Sequence, residues 1–460
     1  MPRTAAPEPL RPAPWRRPDP LSHTRLLFAL LACALLLPHF VTVGPHHRVG
    51  LAGVCGGDEP HYLVQINSVL EDLDLDVSNN YTAVHEGGRE EGEFFRGDGG
   101  NHHTVVNVNG RYVLWSEAFV WDGRFEHGRG EDGHARVPGA PRPKEGAPEW
   151  SFHPPGATML ALLLWPFRGT RGVEVGGLLL AALATLLAAV ALRSIVRSLG
   201  GSVRLANGVM LIGVLCTPVW NYARTFFNEP FLLAFCLGAY ALHFRQRPLL
   251  AGLLIALGMQ MKPPFGLLLV PLWVDLLLQR SWRRLALLSL LPALSALGVL
   301  ALNAYMLGSP FKTAIVFQVG SLREGALGML FDWNRGLLPL APVMAFGLLG
   351  WPFLLRGAAR RPALLCACGF ALYAGLMAAW VQWHGAWCYG PRLFIPVVPF
   401  VALGLMPVLA GRWRRWLVGP VVALALVSFA INFVATYQPC RLWGRNPIDL
   451  VRPGARPIPF

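Results

Sequence analysis

Lysine is almost missing from this chain: Lys144, Lys262 and Lys312 are the only three among 40 basic residues. Charge of either sign is scarce, 14% of residues against 54% hydrophobic, and mean hydropathy is +0.43. Such a composition excludes an ordinary soluble domain. The net charge of +14 does not point to nucleic acid, because the arginines sit in short connections between apolar runs. The preference for arginine over lysine reflects a GC-rich genome and carries no functional message. The eight cysteines show no zinc-type spacing with histidine, and Cys366-x-Cys368 lies inside an apolar segment, so cytoplasmic redox chemistry is not indicated. An internal repeat is missing too. No small-x-small cleavage site follows the first apolar run in Val43-Gly44-Pro45-His46-His47, so Leu26 to Val43 reads as a retained helix and not as a signal peptide, despite Arg16-Arg17.

What is present is a succession of hydrophobic runs from 26 to 436, the mark of an all-α polytopic membrane protein. Residues 1–25 read as a disordered cytoplasmic tail rich in proline and arginine. After the first span (26–43) comes a long external loop, 44–155, expected to hold interfacial helices and a small β-hairpin. His61 to Leu70 fits a surface amphipathic helix, and Asn109-Gly110 between alternating apolar residues fits a type I′ turn. The run 157–167 is about half as long as a ~30 Å hydrocarbon core requires, which predicts a re-entrant helix. Ten spans follow, at 175–192, 205–222, 231–244, 249–261, 264–278, 285–306, 336–355, 363–382, 393–410 and 417–436, then an external tail over 437–460.

Charge placement supports these eleven spans with the N-terminus inside. Five connections carry Arg193, Arg197, Arg204; Arg245, Arg247; Arg280, Arg283, Arg284; Arg356, Arg360, Arg361; and Arg412, Arg414, Arg415, and none of them holds an acid. Apart from Glu8, Asp19 and Asp275, every carboxylate falls on the other side, as the positive-inside rule expects.

Polar clusters gather on that acidic side. Gly57-Asp58-Glu59-Pro60-His61-Tyr62-Leu63 opens the long loop and Phe152-His153-Pro154-Pro155-Gly156 closes it. Arg224-Thr225-Phe226-Phe227-Asn228-Glu229, Met261-Lys262-Pro263, Phe331-Asp332-Trp333-Asn334-Arg335-Gly336-Leu337-Leu338-Pro339 and Trp383-His384-Gly385-Ala386-Trp387-Cys388-Tyr389-Gly390-Pro391-Arg392 lie on the same side. A carboxylate pair where a membrane helix meets water is placed to act as a base, and cations at headgroup level are placed to hold a phosphate.

In order and position these segments resemble the GT-C glycosyltransferases, the protein O-mannosyltransferases and lipid A aminoarabinose transferases among them. Asp58-Glu59 is similar to the Asp-Glu pair of the mannosyltransferases, and His153-Pro154-Pro155-Gly156 to the His-Pro-Pro segment ending the same loop. Gly390-Pro391-Arg392 and the segment 331–339 resemble late loops of bacterial carrier-dependent members. The resemblance spans residues 57 to 392, although 82–150 is longer and more glycine-rich than the family's loop. It implies an enzyme of the bacterial inner membrane whose site faces the periplasm or exterior. The implied reaction inverts a sugar while moving it from a polyprenyl-phosphate-linked donor to a hydroxyl on a protein, glycan or lipid acceptor. Asp58 and Glu59 are then the catalytic carboxylates, with Asp58 the base; Arg392, Arg224 and Lys262 bind the donor phosphate; His61, Tyr62, His153, Glu229, His384 and Tyr389 hold acceptor or sugar. No cofactor and no nucleic acid are expected.

Plainer readings stand beside these. Lys262 and Arg224 also fit cations snorkelling at span ends, and Trp383 and Trp387 fit an interfacial belt. Asp72, Asp74 and Asp76 are similar to the DxD metal motif of oligosaccharyltransferases; their distance from Asp58 and flanking leucines favour a surface segment, so a divalent metal is not the expectation. His46-His47 and His102-His103 lack spaced partners and read as solvated. Cys55 and Cys388 could bridge the first and late loops. The competing class is a transporter or flippase, which should carry paired repeats and midplane charges; a third is an assembly subunit whose loop binds partners.

Overall fold

The computed structural model describes residues 21–43, 49–50, 54, 57–80, 103–114, 146–438 except 168, 316, 387, 412 and 413, and 442 and 444–451. The described residues form a bundle of α-helices with one three-stranded and one two-stranded sheet. Among the described residues four helices, Arg171–Ser198, Trp282–Leu307, Arg360–Ala378 and Arg414–Tyr437, are long and apolar enough to cross a membrane. Trp282–Leu307 and Arg414–Tyr437 leave leucines such as Leu294, Leu297 and Leu426 more than half exposed. Outward apolar surface on that scale belongs against lipid.

The remaining apolar stretches are shorter or broken where proline removes a backbone donor. The run 205–222 divides into Val203–Leu215 and Val219–Tyr222 at Pro218, and 336–355 into Leu337–Leu340 and Met344–Leu354 at Pro342. The run 393–410 is a chain of short turns, Arg392–Phe394, Val398–Leu403 and Leu405–Ala410. Pro155–Leu164 makes a 3₁₀ turn and one helical turn, too short to cross, with Leu162 and Leu163 exposed.

The first helix runs Leu21–Phe40, starting and ending earlier than the apolar pattern of 26–43 suggests, and Thr42–Val43 pairs with Val49–Gly50. Residues 1–20 of the expected tail, His46-His47, His102, and 452–460 lie outside the described residues. The hairpin forms from Thr104–Val108 and Arg111–Leu114 across Asn109 (φ 50°) and Gly110 (φ 81°). A third strand, Trp150–Ser151, pairs antiparallel with the first, Thr104 opposite Ser151. This sheet is what carries His103 and His153 to the same place.

The surface helix expected at His61–Leu70 is a different object. It spans Asp58–Glu71 and is buried on nearly every side, Leu63, Val64 and Ile66 completely. Gly57, at φ 61° and ψ −133°, turns the chain into it through a conformation that side chains other than glycine avoid. The turn leaves Asp58 and Glu59 in the first helical turn, where the helix dipole favours negative charge.

The arginine-rich connections meet at one end of the bundle. Asp275, the acid out of place in the charge pattern, accepts from His243 at 2.9 Å, Gln279 at 2.7 Å and Arg361 at 2.7 Å. Arg284 bonds to Gln246 on the neighbouring connection. Glu229 and His243 are the opposite ends of one helix, Glu229–Phe244, so the arginine end and the Asp58 end are separated by its length.

Gly156 fixes how the long loop rejoins the bundle. A Cβ there would lie 2.3 Å from the Gln260 carbonyl carbon and 2.4 Å from Met261 N, both backbone atoms that cannot step aside. Gly156→Ala is expected to destabilise by about 1–3 kcal/mol, read as a lowered thermal midpoint in detergent. An unchanged midpoint would mean that the contact is slack.

Candidate active site

Four charged groups from four segments converge beside the start of the Asp58 helix. Arg392 donates from Nε to Glu229 Oε1 at 3.0 Å and from Nη2 to Asp58 Oδ2 at 2.5 Å. Lys262 Nζ reaches the same Glu229 oxygen at 3.2 Å. The Arg392 guanidinium lies over the Phe227 ring, 4.1 Å from its centroid, a cation–π contact that fixes its plane. Arg392 and Glu229 are buried, whereas the side chains of Asp58 and Lys262 keep 22% and 20% exposure. The open edge of the cluster is therefore the Asp58–Lys262 edge.

Histidines close the other flank. His103 Nδ1 and His153 Nε2 are 3.1 Å apart, and each lies 3.9 Å from Asp58 Oδ1. His61 packs against His103 at 4.0 Å between centroids, tilted by 34°, and Tyr62 against His153 at 4.6 Å, tilted by 51°. Burial alone would raise the Asp58 carboxyl, but the Arg392 guanidinium, with the histidines, holds it well below the usual carboxylate range. Burial and neighbouring His153 depress His103 to about 3. Burial pushes the Tyr62 hydroxyl up, with Asp58 adding to it.

Several expected site residues serve other ends. Glu59 is not at the open edge: it is buried, accepts from Phe226 N at 2.6 Å, and lies beside the buried Arg224. Arg224 is accordingly a partner of Glu59 and Glu174 beneath the cluster and not a group facing the opening. Glu229 is a counter-ion gripped by Arg392 and Lys262, not an open sugar ligand. Tyr389 points into the core, its carbonyl accepting from Tyr222 Oη at 2.8 Å and its hydroxyl 3.5 Å from Asn432. His384 accepts from Ala386 N and belongs to the loop backing Arg392, where a Cβ on Gly385 would lie 3.1 Å from the Arg392 Cβ. Asp332 Oδ1 accepts from the Asn334 and Arg335 amides, and Trp333 and Asn334 bond to Asp449 and Asn446, so the 331–339 segment is scaffold. Cys388 is a free buried thiol, and Cys55 lies outside the described residues.

His103 is the residue that sequence reasoning missed. It reads as solvated, yet it sits within reach of Asp58. The available signal was its place directly before the first hairpin strand, which pairs with the strand leading to His153. Phe227 was missed as well, because an aromatic beside a span end looks like ordinary packing.

The DxD-like acids are fasteners. Asp72 accepts from Asn79 and Asn80, Asp74 from Ser68, and Asp76 Oδ1 from the Ser78 and Glu149 amides at 3.0 and 2.9 Å. Asp76→Ala should therefore lower stability by about 1–3 kcal/mol by stranding those amides, while Asp76→Asn, which keeps the acceptor oxygen, should lose much less. Equal shifts in thermal midpoint for both variants would show that the charge matters and not the acceptor.

No family model matches the sequence, and no curated protein matches it. Solved structures do. ArnT from Cupriavidus metallidurans bound to undecaprenyl phosphate superposes with a TM-score of 0.53 at 14% identity, over 93% of this chain and 68% of that one. This chain has the ArnT fold. The apo ArnT structure matches 92% of this chain at a TM-score of 0.49 and 14% identity. The likeness drawn from residues 57 to 392 thus extends to the fold. The structure likened to ArnT is a multi-pass helical bundle, as the hydropathy requires.

Proposed function

We propose that this chain is an inverting glycosyltransferase that moves a sugar from a polyprenyl-phosphate-linked donor to an acceptor hydroxyl. The reaction takes place at the bundle end opposite the arginine-rich connections, the external face in the positive-inside reading. The observation that carries this is the Arg392 fork: one guanidinium holds both Asp58 and Glu229 at a partly open edge of a membrane bundle with the ArnT fold. The ArnT structure binds undecaprenyl phosphate; a carrier of that class supplies the anion that Arg392 and Lys262 fit.

The cluster as it stands is charge-balanced, with two carboxylates against two cations. An arriving phosphate competes with Asp58 for Arg392 Nη2 and with Glu229 for Lys262 Nζ. Its capture stabilises the leaving phosphate and releases Asp58 Oδ2 from its counter-ion, which makes that oxygen a stronger base. The acceptor oxygen then attacks the anomeric carbon from the side facing Asp58. Its bond to carbon forms as the carbon–oxygen bond to phosphate breaks, and its proton passes to Asp58 Oδ2. A single displacement of this kind inverts the anomeric centre, as it does in transfer to water.

The test uses the purified chain reconstituted with undecaprenyl-phosphate-linked sugars and candidate hydroxyl acceptors, with release of free undecaprenyl phosphate as the readout. Acceptor-dependent release supports the transferase. Movement of intact donor across the bilayer without release would establish the flippase instead.

A further inference from the structure

We infer that Asp58, His103 and His153 form a binding site for a late first-row divalent cation of the zinc class. The three donor atoms, Asp58 Oδ1, His103 Nδ1 and His153 Nε2, make a triangle with sides of 3.9, 3.9 and 3.1 Å. A point about 2.1 Å from all three corners lies inside that triangle. Zinc takes imidazole nitrogen at about 2.0–2.1 Å and carboxylate oxygen at about 2.0–2.2 Å; at that point the ion would lie in the donor plane, and a tetrahedral ion needs Asp58 to close on each histidine by about half an ångström. Among the described residues this is the group of His, Cys, Asp and Glu side chains close enough to share an ion.

The fold holds each donor in place independently. Asp58 sits at the start of its helix, after the Gly57 turn. His103 and His153 are carried by paired strands: Phe152 N donates to the His103 carbonyl at 2.9 Å, next to the Thr104–Ser151 pair. The His153 amide donates to Ser151 Oγ at 3.2 Å, and its carbonyl accepts from Gln65 at 3.4 Å. Two imidazoles and one carboxylate favour zinc, copper, nickel or ferrous ions over magnesium or calcium, which prefer oxygen. Three protein ligands leave the fourth position of a tetrahedral ion open.

The proposed function gives the ion a use, though binding itself does not depend on that reading. The balanced four-charge cluster has no surplus for an anionic donor. A divalent cation on Asp58 Oδ1 makes the site net positive and leaves Oδ2, the atom now facing Arg392, for the proton.

The test uses the full chain, purified in detergent without a histidine tag and stripped with chelator. Zinc is titrated in, and bound metal is measured after desalting. About one equivalent should bind, and His103→Ala and His153→Ala should each weaken binding at least ~100-fold, while His384→Ala leaves it unchanged. Gel filtration reports whether the variants fold. Should they not, cobalt(II) added to the unmutated chain decides the matter. Intense visible bands of a four-coordinate ion support the site, and the weak bands of an octahedral one overturn it. No stoichiometric zinc in the unmutated chain, or zinc bound as tightly in either folded histidine variant as in the unmutated chain, would leave only a hydrogen-bonded histidine pair. Because these readouts are metal content and spectrum, they stand or fall separately from transfer activity.

Discussion

Asp58→Asn is expected to lower the turnover of sugar transfer by ~10²–10⁴-fold, the usual share of a general base, without weakening donor binding. Asparagine keeps the size of the side chain and can still accept from Arg392 Nη2, so the helix start and the Arg392 fork should persist. What it lacks is the capacity to take the acceptor's proton. The donor side should move the other way. Asp58 now occupies Arg392 with a 2.5 Å contact, and an anionic phosphate must displace it. Removing that negative charge removes a competitor, so in the chelator-stripped protein KM for the donor should stay the same or fall while kcat collapses. A residue with a merely structural role would not divide the two constants in this way. Glu59→Gln supplies the contrast: with Glu59 buried between the Phe226 amide and Arg224, its loss should register in thermal stability more than in kcat. Near-normal turnover in Asp58→Asn with an inactive, folded Glu59→Gln would reverse the two assignments.

The contrast between these adjacent acids shows what a sequence can disclose here. Hydropathy and arginine segregation revealed the bundle because lipid imposes long apolar runs and strict charge placement, both one-dimensional signals. The motif around Asp58, and Lys262 and Arg392, were legible because ionisable groups at a membrane edge need a reason to be there. Which of two neighbouring carboxylates faces the opening was not legible. That depends on the helix beginning at Asp58 itself, whose first turn sends Glu59 inward beneath Phe226. The pairing of Glu229 with Arg392 and Lys262, and the place of Arg224 beside Glu59, were not legible for the same reason: burial is a property of the packed bundle. His103 became a site residue only when a strand pairing of low sequence locality, Thr104 with Ser151, brought it to His153. Asp275 looked misplaced in the charge pattern until Arg361 and His243 were seen to close on it.

Arg392→Lys should retain the fold and the charge and still lose transfer by ~10²–10³-fold, equal to about 2.7–4 kcal/mol of transition-state stabilisation. The guanidinium does three things at once: Nε holds Glu229 at 3.0 Å, Nη2 holds Asp58 at 2.5 Å, and the plane rests on Phe227. A lysine offers one point charge on a flexible stem, so it can satisfy one carboxylate but cannot bridge both or present two parallel donors to a phosphate. The loss should deepen as the phosphate leaves, because that is when its charge grows, so kcat should fall more than donor affinity. Arg392→Ala is a different experiment. It strands the buried Glu229 opposite Lys262 alone and should destabilise the protein by about 3–5 kcal/mol, which makes it uninformative about catalysis by itself. Pairing it with Glu229→Gln removes the stranded charge and should recover folding without recovering turnover. Snorkelling to lipid headgroups offers no escape from this comparison, since Arg392 is only 6% exposed. An Arg392→Lys enzyme with near-normal turnover would shift the phosphate role to Lys262, whose ammonium already stands at the open edge.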